Sequence, residues 1–135
     1  MSESRDAFFA QCVVVTVHVR LTPEARGMIT AEYLAAMHAD ALLVNTSRAG
    51  LIEAGALFEA LNTGTPGMAA IDVFDVEPII SANDPLANHP NVVVTPHIGF
   101  VTEDEFELQF TDIFDQVVAY GMGAPMHMIN PEAWT

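Results

Sequence analysis

Three short stretches carry side chains able to hold a small anion and move a proton. Thr46-Ser47-Arg48 follows the apolar run ALLVN, Asp72 closes the run AAIDV with Glu77 shortly beyond, and Thr95-Pro96-His97 follows VVV. A guanidinium fork engages a carboxylate through two parallel hydrogen bonds. An imidazole exchanges a proton near neutral pH, and a carboxylate beside it stabilises its charged form. Each residue also has an ordinary reading. Arg48 suits a solvated loop, Glu77 before a proline suits a turn, and His97 between Pro96 and Ile98 suits a cap on a sheet end. Chemistry follows only if the three stretches meet.

The surrounding elements decide that. Val13 to Val17 is a short β-branched run, and Thr22-Pro23 reads as a cap followed by proline in a first helical turn. TAEYLAAM, from Thr30, reads as a helix, and Ala41 to Asn45 as a buried strand. Ala54, Leu57, Phe58 and Leu61 form the stripe of an amphipathic helix that Gly64 is placed to end. A strand from Met68 to about Val73 and a fourth in NVVVT complete the set. Thr102 with Glu105 makes a capping box, and Glu103 and Asp104 add negative charge to that helix start. Phe106, Phe110, Ile113, Phe114 and Val117 then recur at helical spacing to about Tyr120, ending near Gly121. GMGAPMHMINPEAWT reads as an irregular tail.

Strands alternating with helices predict an α/β fold: a parallel sheet of about four strands with flanking helices and a long C-terminal helix. The near-continuous apolar runs predict strands buried on both faces. In such sheets ligands bind beyond the carboxyl ends of the strands, so the three stretches should converge on one edge. The connection from Phe74 to Pro90, with Pro78, Pro85 and Pro90, exceeds usual loop lengths and reads as functional or disordered.

Composition narrows the function classes. The 135 residues, 51% of them apolar, suit a single domain over 1–135 with a real core. Against 18 acidic side chains stand 4 basic ones, for a net charge of −14. The cations, Arg5, Arg20, Arg26 and Arg48, are scattered along the chain and form no basic stripe, which excludes a nucleic-acid surface. No run approaches the roughly 18 apolar residues of a membrane span and the start lacks a secretion-signal layout, so a cytoplasmic location is expected. Cys12, the single cysteine, excludes internal disulfides and cysteine zinc sites. No HExxH or paired-histidine spacing points to a metal. His38, His89 and His127 read as surface or loop residues, and Met122, Met126 and Met128 as packing or tail residues.

Three segments, HADALLVNTSRAGLIEAGALFEALNTG, AAIDVFDVEP and NVVVTPHIG, occur in an order and spacing that is similar to the D-isomer-specific 2-hydroxyacid dehydrogenases. The resemblance is to the second half of their NAD-binding domain and runs from about Asp6 to Pro131. It implies a partial Rossmann-like sheet, NAD or NADP as cofactor, and hydride transfer between 2-oxo acids and D-2-hydroxy acids. It further implies that Arg48 binds the substrate carboxylate and polarises the keto group. His97 would be the general acid/base at the 2-oxo or 2-hydroxyl oxygen, and Glu77 would pair with its imidazole. The catalytic set is thus Arg48, Glu77 and His97. On the cofactor side the resemblance puts Asp72 beside the nicotinamide, with His18, Thr46 and Gly99.

The sequence also departs from that family. No G-x-G-x-x-G occurs, and Gly121-Met122-Gly123, the nearest approach, lies past a helix. No helix N-terminus is then aimed at a pyrophosphate. The expectation is a truncated cofactor domain without its fingerprint half or the substrate domain. Ala49 stands where the family usually has glycine. Arg20 stands where many members have proline, beside the cofactor cleft, which would favour a phosphorylated cofactor. Loss of a neighbouring strand would make 13–17 a sheet edge, expected to pair with a second copy or a complementing N-terminal fragment. The rival function is a catalytically silent α/β module that pairs or binds. The intact Arg48, Glu77 and His97 favour catalysis; the missing phosphate cradle favours the silent module.

Overall fold

A computed structural model describes residues 4–78 and 84–134. The chain divides into two units, residues 1–99 and 100–135. In the first, strands β1 (Val14–Val17), β2 (Leu42–Asn45), β3 (Met68–Ile71) and β4 (Val92–Val94) form a parallel sheet in the order β1-β2-β3-β4. Helices α1 (Arg5–Gln11), α2 (Ala31–Ala35) and α3 (Ala56–Thr63) connect and cover it. The four strands and α3 fall where the apolar runs and the helical stripe predict them.

The core lies on one face of the sheet. Val15, Val17, Leu43, Ala69 and Ile71 point into it from alternate strand positions and meet Phe9 of α1, Leu34 of α2, and Leu57 and Leu61 of α3. The opposite face is open: Val14, Met68 and Val93 are 55%, 48% and 69% exposed. Burial of the strands on both faces, expected from the unbroken apolar runs, is therefore not met. The side chains are apolar on both sides of the pleat, while α1, α2 and α3 supply cover for one.

Two local expectations also change. Thr22-Pro23 starts a single turn rather than a helix, with the Ala25 and Arg26 amides donating to the Thr22 carbonyl and Gly27 at φ 65° ending it. One turn fixes several dihedrals for few hydrogen bonds, so it does not propagate by itself. Helix α1, which periodicity did not announce, starts at Ser4, whose hydroxyl accepts from the Ala7 amide at 3.1 Å. Its seven residues are held by tertiary contact, the Phe9 ring stacking on Tyr33 at 5.1 Å between centroids. α3 begins at Ala56, two residues later than its stripe, and ends at Gly64 with φ 90°. Before β3, Gly67 passes so close to the Ala39 carbonyl that an added Cβ would lie 1.8 Å from its oxygen. Only glycine fits there.

The Phe74–Pro90 connection is described as far as Pro78 and again from Asp84, whose carboxylate accepts from the Ala87 amide; residues 79–83 lie outside the described residues. In the second unit, α4 (Glu103–Gly121) starts at Thr102, whose hydroxyl accepts from the Glu105 amide at 3.2 Å. Glu105 itself bonds Gln109, so the capping box closes on one side only. Phe106, Phe110 and Phe114 form an exposed row with centroids 4.4 and 6.3 Å apart. The tail beyond holds one 3-10 turn, Pro131–Ala133, and an edge contact of Trp134 on Tyr120. Among the described residues no helix is long and apolar enough to cross a membrane.

Candidate active site

Strand register sets the site. Val17 pairs with Asn45, Asn45 with Ile71 and Ile71 with Val94, so all four strands end level. The loops that follow carry His18, Thr46-Ser47-Arg48, Asp72 and Thr95-Pro96-His97, and leave the sheet on one rim. The convergence expected from the sequence is present.

Asp72 is the centre of the rim. It is 2% exposed, and both carboxylate oxygens are engaged by the β4 loop. Oδ1 accepts from the Thr95 hydroxyl and, at 2.9 Å, from the Ile98 amide; Oδ2 accepts from the Gly99 amide at 2.7 Å. Burial pushes this carboxyl up, but the Thr95 hydroxyl, the two amides and the nearby His97 together outweigh it, and the pKa lies below the usual aspartate value. Gly99 is required by this wrapping, since an added Cβ would sit 2.9 Å from Asp72 Oδ2 and 3.5 Å from Thr46 Cβ. Thr46, Asp72 and Gly99, expected on the cofactor side, are thus neighbours. Asp72 itself faces the loop.

His97 rides on that loop with φ 59°, a left-handed conformation uncommon outside glycine. Its Nδ1 lies 2.6 Å from Glu77 Oε2, while Glu77 Oε1 accepts from the Phe74 amide at 2.8 Å. The His97 contact, then the Phe74 amide, and in smaller measure the charge of Arg48, hold the Glu77 carboxyl below its usual pKa despite some burial. His97 and Glu77 line a pocket of about 340 Å³ with Phe74, Pro78, Val94 and Pro96.

Arg48 is exposed, with one N–H donated to the Ser47 carbonyl at 2.6 Å. Its loop is shaped by Asn45, 1% exposed, whose side chain donates to the Arg48 carbonyl and accepts from the Ser47 amide. Ser47 donates its hydroxyl to the Val19 carbonyl at 2.8 Å, tying the β1 and β2 loops together. His18 is exposed and lies 2.8 Å from the Thr16 hydroxyl through Nε2. It lines a second pocket with Arg20 and Arg48. The sequence assigns no role to Asn45 or to the Thr95 hydroxyl. The available signals were a carboxamide and a hydroxyl at the ends of otherwise apolar strands.

A parallel sheet whose loops bring a guanidinium, an imidazole and two carboxylates to one rim has the architecture of nucleotide-binding α/β domains. The profile of the D-isomer specific 2-hydroxyacid dehydrogenase NAD-binding domain matches residues 1–99, and the chain belongs to that family. Glycerate dehydrogenase of Methylorubrum extorquens is 37% identical over 126 residues, which cover 93% of this chain and 40% of that protein. The chain thus spans well under half the length of this curated relative. The crystal structure of an oxidoreductase from Ralstonia solanacearum, assigned as a D-3-phosphoglycerate dehydrogenase, superposes with TM-score 0.87 and 43% identity, covering 99% of this chain and 39% of that one. A D-isomer specific 2-hydroxyacid dehydrogenase from Xanthobacter autotrophicus, solved with NADPH and MES, gives TM-score 0.68 at 31% identity over 98% of this chain and 54% of that one. The domain is NAD-binding by family, and the side chains of His18 and Arg48 line an open pocket beside the ends of β1 and β2.

Proposed function

We propose that this chain carries part of the active site of an oxidoreductase that interconverts 2-oxo acids and D-2-hydroxy acids. The observation that carries the reading is the His97–Glu77 pair at 2.6 Å, on a loop anchored by Asp72 and on the same rim as Arg48. When bound, a nicotinamide supplies the hydride chemistry; His18 and Thr46 are the residues offered to hold it, with Gly99 keeping the loop close.

The chain's own groups do the rest. Arg48 takes the substrate carboxylate in its fork and draws electron density from the adjacent keto group. With Nδ1 on Glu77, His97 acts through Nε2, giving a proton to the 2-oxo oxygen in reduction and taking it back in oxidation. Glu77 stabilises the imidazolium and fixes the ring plane, and Asp72 fixes the backbone beneath it. Both are positioning residues. The strained backbone at His97 fits such a role, since left-handed non-glycine residues persist where the surroundings over-determine them.

The test is reduction of glyoxylate or hydroxypyruvate with NADH and with NADPH, for the chain alone and with an added N-terminal cofactor-domain half. Turnover that falls about a hundredfold or more in His97→Asn supports the reading. Asparagine tolerates left-handed backbone, so this change removes the proton carrier without refolding the loop. Absence of turnover in both settings would overturn it and leave a binding module.

A further inference from the structure

Where the strands end, Val17, Asn45, Ile71 and Val94 pair across the sheet in that order. Three of the four are apolar. The exception, Asn45, is a carboxamide 1% exposed, and it closes the strand whose loop carries the guanidinium. We propose that Asn45 is the positioning residue of Arg48: its side chain fixes the turn that presents the guanidinium to the carboxylate of a 2-oxo acid. The proposal rests on the Arg48 assignment above and adds what holds that group in place.

Packing alone does not call for a carboxamide there. Its donor and acceptor lose water on burial, which is tolerated where both find hydrogen bonds. Asn45 uses both within three residues of itself. Oδ1 accepts from the Ser47 amide and Nδ2 donates to the Arg48 carbonyl, each at 3.0 Å. The side chain thus closes on the two ends of the Ser47–Arg48 turn. Valine or leucine at this position would fill space in the sheet and leave the Ser47 amide without this acceptor.

The turn is held from outside as well. The Ser47 hydroxyl fastens it to the Val19 carbonyl at 2.8 Å. Beyond Arg48 the chain enters the 3-10 turn Ala49–Leu51, where the Gly27 amide donates to the Gly50 carbonyl at 2.9 Å and the Ile29 amide to the Leu51 carbonyl at 3.0 Å. The backbone is therefore fixed on both sides of Arg48, while its side chain is exposed. Fixing it before a ligand arrives lowers the ordering cost of binding. The absence of charge on the anchor matters too. The chain has 18 acidic side chains, yet the ion pairs among the described residues are His97–Glu77 and His127–Asp112, and neither uses Arg48. A carboxylate at position 45 would compete with the substrate for the guanidinium fork.

Kinetics and hydrogen exchange together test the role, the kinetics on the chain with an added N-terminal cofactor-domain half. Asn45→Ala should raise the KM for glyoxylate about tenfold, the worth of one lost contact. A variant that is merely less stable would lose kcat with its folded fraction and keep its KM. Asn45→Asp preserves the shape and the acceptor for the Ser47 amide but removes the donor to the Arg48 carbonyl. It should raise KM at least as much, and it stands in if Asn45→Ala does not fold. Hydrogen exchange reads the turn without turnover. The Ser47 amide should exchange at least about tenfold faster in Asn45→Ala and close to its original rate in Asn45→Asp, with the β2 amides unchanged. A KM that moves less than about twofold in both variants, or a Ser47 amide indifferent to Asn45→Ala, would overturn the proposal. Absence of turnover in the unaltered protein instead overturns the active-site reading, and the substrate role of Asn45 with it. Ser47 exchange then still decides whether Asn45 holds the turn.

Discussion

Asp72 shows how one buried carboxylate can place another residue's chemistry. Its two oxygens receive three donors from Thr95, Ile98 and Gly99, and His97 sits in the middle of the span they hold. Asp72→Asn turns one acceptor into a donor that faces those amides, and buried donors left without partners cost about 1–3 kcal/mol each. Urea unfolding should report a loss of at least about 2 kcal/mol. The same residue predicts the acid limb of stability. Asp72 and Glu77 both have folded pKa values below the usual ones, so their contribution is complete above about pH 5 and is lost as pH falls through the folded values. Asp72→Asn should therefore flatten the decline in urea midpoint between about pH 5 and 3; an unchanged slope would contradict the assignment. Arg48, Glu77 and His97 were legible as residue types placed just after apolar runs. The hub role of Asp72 was not, because its three partners are backbone amides and a hydroxyl that no spacing rule in the sequence ties to position 72.

The strands and the helix stripe were readable from apolar patterning because parallel strands and an amphipathic helix each impose a period. α1 was harder to see: it is one helix of seven residues whose stability comes from Phe9 against Tyr33, a contact between residues distant in sequence. Thr22-Pro23 shows the converse, a good local start signal that stops after one turn. The turn before β3 depends on a feature of the same non-local kind. Gly67→Ala would place a methyl group 1.8 Å from the Ala39 oxygen, a distance no rotamer change can relieve. The backbone must move, and the expected cost is about 1–3 kcal/mol by thermal or urea unfolding. Gly55→Ala, where an added Cβ meets no atom within 4 Å, is the comparison. There the φ of 76° is the only strain, so a smaller loss is expected.

For the first unit, the sheet ends at β1 among the described strands, and the face bearing Val14, Met68 and Val93 is exposed, while α1, α2 and α3 pack on the other face. A strand edge with unpaired backbone groups next to an uncovered apolar face favours pairing with another chain. Sedimentation at micromolar concentration should therefore show concentration-dependent self-association, weakened by Val14→Lys; a single monomeric species at every concentration would count against it.

That bare sheet face, together with the phenylalanine row on α4, coexists with a net charge of −14. Dispersal in water then depends on electrostatic repulsion between molecules whose surfaces would otherwise adhere. Ammonium sulfate acts on both terms at once, shielding the repulsion and strengthening the adhesion. The protein should precipitate early in such a fractionation and redissolve readily on dialysis into dilute buffer above neutrality.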